Sequence, residues 1–204
     1  MLATVPMDRL YLSFAATLDY PGPALAEDAM ACRGLLAQLS GEAAGRMEEF
    51  CAFLSQTQPG QVQEVYTNAF DLQPVSYPYV GYQLFGDSYK RGTFLVKLQE
   101  EYRARGFSAG SELPDHLPVM LRFLSVLAAR GDTELEDELV CQCLSPALGK
   151  IVGAFKDKGN PYGVVARALL DTLKKVFPQA VESIGVAPAA SSAFMAPCGQ
   201  PEEG

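Results

Sequence analysis

The chain has 204 residues, enough for one domain with a real hydrophobic core, or a domain plus a tail. Its 16 basic and 24 acidic residues leave a formal net charge of -8, which argues against a nucleic-acid binder, because no cationic surface displaces counterions from phosphates. The same charge suits a protein that receives basic or apolar peptides.

The first residues, Met1 to Asp8, lack the basic start and long apolar run of a secretory signal. No segment reads as a membrane span, so a cytoplasmic location is expected. Met7, Leu10, Tyr11, Phe14 and Leu18 recur at helical spacing before Pro21-Gly22-Pro23 breaks the pattern. A second helix carries Leu25, Ala29, Cys32, Leu35, Leu36 and Leu39, with Ser40-Gly41 read as its end. A third carries Ala43, Met47, Phe50, Cys51 and Leu54 and stops near Pro59-Gly60. Val62, Val65, Tyr66, Ala69 and Phe70 form a fourth stripe, closed before Pro74. A short aromatic segment from Tyr77 to Phe85 follows, and Asp87 or Ser88 can cap the next helix, which bears Phe94, Leu95, Leu98 and Tyr102. Gly106 ends that helix. Beyond a proline-framed corner come Met120, Phe123, Leu124 and Leu127, closed by Gly131. Three further helical stretches carry Leu135 to Cys143, Leu148 to Phe155, and Val165 to Phe177, the last behind Asn160-Pro161.

Many amphipathic helices on short connections, with no alternating β pattern, predict an all-α domain: a single compact bundle of about nine to ten helices. No fixed-period repeat points to a solenoid. The domain is expected over residues 1–185. From Gly185 onward Ala, Pro, Ser and Gly dominate, so residues 186–204 are expected to be a disordered tail.

Five cysteines (Cys32, Cys51, Cys141, Cys143 and Cys198) are an odd number without framework spacing and read as reduced thiols, mostly core fillers. Cys141-Gln142-Cys143 lacks the two-residue gap of zinc or thioredoxin-type sites. With one histidine in the chain, no metal centre and no cofactor is expected. No phosphate loop, dinucleotide fingerprint, His-Glu-x-x-His pair or nucleophile elbow is present, so no enzymatic activity is expected.

The corner itself, Glu112-Leu113-Pro114-Asp115-His116-Leu117-Pro118, holds that histidine between two prolines. Proline fixes its own φ and pushes the preceding residue out of the helical region, so the connector should be stiff and present Asp115 and His116 in a fixed direction. Such a corner looks like a docking feature. The plain alternative is a helix-start histidine bonded to neighbouring backbone, and it outweighs a catalytic base oriented by Asp115. Tyr66, Phe70, Tyr77, Tyr79, Tyr82 and Phe85 crowd into twenty positions. Each alone reads as core. Together they are denser than a core needs, and tyrosine also lines peptide grooves. The charged helix from Lys90 to Arg105 reads as a solvated face.

Three ordered stretches, Tyr66-Thr67-Asn68-Ala69-Phe70-Asp71-Leu72, Tyr82 through Gly92, and Glu112 through Pro118, resemble the NarJ family. These are the so-called delta subunits of respiratory nitrate reductase, within the wider group that includes the TorD and DmsD chaperones. The resemblance extends over residues 7–180. It implies an all-helical molybdoenzyme assembly chaperone that is not part of the finished enzyme. Such a chaperone binds the N-terminal peptide of the apo catalytic (alpha) subunit and holds it until cofactors are loaded and the membrane partner is met. The Glu-x-Pro-Asp-His signature falls on Glu112, Pro114, Asp115 and His116, and the Tyr-x-Leu-Phe-Gly-Asp turn on Tyr82, Leu84, Phe85, Gly86 and Asp87. Pro78 departs from the pattern and should start the aromatic helix late or bend it.

The expected peptide site is therefore a groove of Tyr66, Phe70, Tyr82 and Phe85, with Glu112, Asp115 and His116 at its mouth. Its acidic rim should favour lysine- or arginine-bearing peptides. The rival readings are a nucleotide- or pterin-binding helical switch or enzyme using Asp115 and His116, and a structural subunit retained in the mature complex. No nucleic acid and no membrane insertion are expected, and a monomer or a domain-swapped dimer is expected, with the choice open.

Overall fold

The computed structural model describes residues 5–156 and 158–181. Ten α-helices follow in chain order: α1 (Met7–Leu18), α2 (Leu25–Ala37), α3 (Gly41–Gln56), α4 (Pro59–Phe70), α5 (Val80–Phe85), α6 (Tyr89–Ala104), α7 (Leu117–Arg130), α8 (Thr133–Glu138), α9 (Ser145–Phe155) and α10 (Pro161–Val176). The only β pairing among the described residues is an isolated antiparallel bridge between Tyr79 and His116. The all-α expectation holds. The expected boundary between domain and tail at residues 185 and 186 lies outside the described residues, as does Cys198.

Local chemistry sets several helix ends. Pro161 occupies a first-turn position of α10, and the Asn160 side chain accepts from Tyr162 N–H at 2.9 Å. Asn160 also donates to the Val65 carbonyl at 3.2 Å, tying the start of α10 to α4. Gly131 ends α7 at φ 71°, the left-handed geometry that costs glycine little. Two stop signals also serve as starts. Ser40 caps α3 by accepting from Ala43 N–H, and Pro59 begins α4 behind a reciprocal Gln58–Gln61 capping box. Serine and proline favour the first turn of a helix as strongly as they disfavour its middle, so sequence position alone left their side of the boundary open.

The two stretches expected as separate helices after Gly131 are continuous. α8 passes through a π-helical segment (Leu139–Leu144) directly into α9. The resulting helix, Thr133–Phe155, is long and apolar enough to cross a bilayer, although no span was expected from the sequence. Yet 67% of its most apolar window is buried inside the protein, as in a core helix. Its N-terminal turn is tied to α1 by Tyr11, whose hydroxyl donates to Glu136 at 2.8 Å; both residues are buried. Burial raises the Glu136 carboxyl above its ordinary value of 4.5, and the Tyr11 bond opposes that rise.

α1 lies along α7 and α2, while α10 packs on α3 and α9. Where α3, α4, α9 and α10 converge, Tyr162 meets Phe50, Tyr66 and Phe70 edge-on at 5.1, 5.2 and 5.7 Å. Such T-shaped pairs align ring edges with ring faces and add to burial. Cys32 and Cys143 are fully buried, and burial pushes the Cys32 thiol up to about 12, so it is a packing residue and not a nucleophile.

α10 approaches α9 closely at Gly163, where an added Cβ would lie 2.7 Å from Phe155 Cβ. That neighbour is fixed to the backbone and cannot swing away. Gly163→Ala is expected to lower stability by about 1–3 kcal/mol, the usual cost of overpacking. A denaturation midpoint within error of the parent would contradict this packing.

Candidate functional site

Residues 71–88 leave α4 and run back along its end before entering α6. Val75 and Ser76 N–H groups donate to Asn68 and Ala69 carbonyls at 3.2 and 3.1 Å. This strap then pairs with the proline-framed corner. Val80 N–H donates to the Asp115 carbonyl, and Leu117 N–H to the Pro78 carbonyl, each at 2.8 Å. The pairing forces residues 77–79 to be extended, so the aromatic helix starts only at Val80, after Pro78. Two prolines suit these segments, because neither needs the N–H it lacks.

Side chains lock the corner against its neighbours. Arg91 Nε and Nη2 bond the two carboxylate oxygens of Asp115 at 2.9 and 3.3 Å. Asp115 is completely buried, and the Arg91 side chain is 16% exposed. Partial burial opposes the Arg91 charge, but the Asp115 bond and charge outweigh it and hold the guanidinium above its ordinary value. The same guanidinium lies 5.4 Å from the Tyr79 ring centre and 5.7 Å from that of Tyr82. Tyr102 donates to the Pro114 carbonyl at 2.7 Å from α6. Gly81 makes room for all of this: a Cβ there would lie 2.8 Å from both Asp115 Oδ2 and Phe94 Cδ1.

The structure corrects one expectation directly. Asp115 and His116 are not presented outward; both are buried. Asp115 is consumed by Arg91. His116 starts α7, its ring lies 5.4 Å from Tyr79, and its Nδ1 has no hydrogen-bond partner. The expected bond from His116 to neighbouring backbone is therefore not made through that nitrogen. Burial lowers the His116 pKa below its ordinary 6.5, against the pull of Glu112 and Asp19.

The remaining expected residues separate into two groups. Tyr66 and Phe70 belong to the interior aromatic cluster, 6% and 4% exposed, so they do not line an open groove. Phe85 is half-buried against Phe94 at 5.7 Å. Tyr82 is half-buried and packs on Tyr77 at 4.8 Å, and Glu112 is exposed.

What does reach solvent on this side is a different apolar set. Tyr20, Leu72, Tyr77 and Leu113 are exposed, and Tyr79 and Tyr82 are half-buried. Tyr20 stands edge-on to Tyr66 at 5.5 Å, so the interior cluster supports the surface one. Asp19, Asp71 and Glu112 lie around it, each close enough to oppose ionisation of the Tyr66 phenol, which burial already raises. A partly enclosed cleft of about 310 Å³ adjoins Tyr20, walled by Pro21, Leu25, Leu54, Pro59 and Val62. Leu72 and Leu113 sit in loops, outside any helical stripe, and Tyr20 follows the last periodic residue of α1. No periodicity argument could have found them. The surface offers apolar contact and tyrosine hydroxyls inside a carboxylate rim; it holds no cluster of nucleophile, base and electrophile.

These features accompany likeness to known proteins. The family of the nitrate reductase delta subunit matches residues 36–156. The chain is 29% identical over 175 residues to the nitrate reductase molybdenum cofactor assembly chaperone NarJ of Escherichia coli K12, covering 83% of this chain and 70% of that one. The NarJ of Escherichia coli O157:H7 matches to the same extent. A crystal structure of a proposed redox enzyme maturation protein from Archaeoglobus fulgidus superposes with a TM-score of 0.58 at 23% identity, covering 83% of this chain and 94% of that one. At that identity the likeness establishes a shared fold.

The chain has one histidine, so its titration is read without ambiguity. A base whose folded pKa is depressed binds protons more weakly than in the unfolded chain. Its contribution to stability is therefore complete above about 6.5 and is lost as pH falls below that value towards the folded pKa. The imidazole proton resonances are expected to titrate with a midpoint below 6.5 in the folded protein. A midpoint at or above 6.5 would mean that the ring is solvated or paired with a carboxylate.

Proposed function

The chain belongs to the nitrate reductase delta subunit family, and from that premise we propose that it is an assembly chaperone for a nitrate reductase. It binds the N-terminal peptide of the apo catalytic subunit in the cytoplasm, before cofactor insertion and before that subunit meets its membrane partner. The observation that carries this reading is the exposed Tyr20–Leu72–Tyr77–Leu113 surface, rimmed by Asp19, Asp71 and Glu112. Chaperoning of this kind needs binding free energy and no bond-making, which suits a surface without a catalytic set.

The peptide chemistry follows from the surface. Apolar side chains one helical turn apart bury against the tyrosine faces and the cleft beside Tyr20, and lysine or arginine between them faces the carboxylates. Like-charged acidic segments are repelled. Tyr82 and Glu112, expected from the sequence, belong to this surface; Tyr66 and Phe70 support it from beneath. Asp115 and His116 hold its frame. Their burial leaves neither free to contact a nucleotide or pterin, so the switch or enzyme reading loses the residues on which it rested.

Calorimetric titration with a synthetic peptide matching the N-terminus of the catalytic subunit from the same organism is expected to show binding that a scrambled peptide lacks. Tyr77→Ala and Tyr82→Ala should each weaken it about tenfold, roughly 1.4 kcal/mol, while Val96→Ala on the outer face of α6 leaves it unchanged. Equal affinity for all three variants and the parent would remove this surface from the site.

A further inference from the structure

Arg91 is placed unlike any other arginine described in the chain. It bonds both oxygens of a fully buried carboxylate and at the same time lies against two tyrosine rings. The other arginines with ion pairs, such as Arg33 with Glu48 or Arg105 with Asp132, join more exposed partners. The three groups that Arg91 gathers come from three places: Asp115 from the corner, Tyr79 from the strap and Tyr82 from α5.

We propose that Arg91 is the positioning residue of the peptide surface, fixing the rings of Tyr79 and Tyr82 against the corner so that the surface is formed before a peptide arrives. The assignment rests on the peptide-docking reading above. Three features of the molecule support it. The guanidinium is planar, so it can fork onto Asp115 with its edge while its faces serve aromatic rings; a lysine ammonium can do one of these at a time. Gly81 admits the arrangement, since a Cβ there would lie 3.3 Å from Arg91 Cγ. Finally, α5 has only six residues, too few to hold its own shape, so its geometry must be imposed from outside.

The remaining ties on α5 act at other points. Gln83 donates to Ser76 Oγ and to the Tyr77 carbonyl at 3.0 and 2.8 Å, and Lys150 donates to the Gln83 carbonyl at 2.5 Å. They secure its backbone; Tyr77 packs on Tyr82 and His116 lies beside Tyr79, while Arg91 lies over both rings and joins them to Asp115. A surface preset in this way binds without spending free energy on ordering its own side chains. Loss of the arginine then shows as faster dissociation and weaker affinity, with the backbone ties still in place.

Arg91→Lys keeps the positive charge beside Asp115 and so avoids stranding a buried carboxylate. Should it fold poorly, the Arg91→Met, Asp115→Asn pair removes both charges together and serves the same purpose. Tyrosine-labelled protein is used for ring resonances, and the same preparation is titrated with the synthetic N-terminal peptide of the catalytic subunit. The expected result is that the Tyr79 and Tyr82 ring signals shift while those of Tyr11 and Tyr162 do not, with affinity falling about tenfold. Unmoved Tyr79 and Tyr82 signals, or unchanged affinity, would overturn the role of Arg91. The parent protein separates the two readings: failure of the parent to bind the peptide overturns the docking reading itself, whatever the variant does.

Discussion

Two backbone hydrogen bonds, from Val80 to Asp115 and from Leu117 to Pro78, join the only two extended segments that pair among the described residues. A helix satisfies its own amides, but a buried non-helical segment must find partners elsewhere. Here each segment supplies what the other lacks. The Asp115 carboxylate beside this pairing is fully buried, and a buried charge is tolerated only with a close and well-oriented partner. Arg91 meets that requirement from α6. The strap, the corner and the charged helix are therefore one mechanical unit, and the surface tyrosines are carried on it.

This arrangement divides labour between buried and exposed members of the same motifs. Pro114, Asp115 and His116 are interior and set the path of the chain. Glu112 and Leu113, immediately before them, are exposed and available to a partner. Tyr66 and Phe70 fill the junction of α3, α4, α9 and α10, whereas Asp71 and Leu72 project from the end of the same helix. Under the proposed docking, a motif of this kind ties recognition to stability, because its exposed residues are held in place by sequence neighbours that fold the domain.

The fold was legible because its signals are local. Apolar stripes at helical spacing placed the helices, and Gly131 and Asn160-Pro161 marked ends by chemistry that acts within one turn. Ser40 and Pro59 mark where α2 and α3 have stopped and also start the next helix, because both residue types serve at stops and starts alike. The site was less legible. Asp115 and His116 read as presented at the mouth of a groove, because charged and polar residues usually reach solvent. What pairs with the buried Asp115 is an arginine twenty-four positions away, and no spacing rule links the two. Periodicity likewise gave Tyr66 and Phe70 a face without saying whether that face met solvent or another helix. Tyr20, Leu72 and Leu113 lie at turns and loops, where the pattern that identifies helices is silent.

The central claim is that the strap and corner form the docking face for a basic, apolar peptide. Amide hydrogen exchange of the full chain, with and without the N-terminal peptide of the catalytic subunit, tests it most directly. The account predicts added protection concentrated in residues 71–85 and 112–117, with little change in the outer turns of α2 and α6. Protection confined to the groove between α1 and α2, around Leu12 and Leu35, would contradict it and place the peptide on a different face of the bundle.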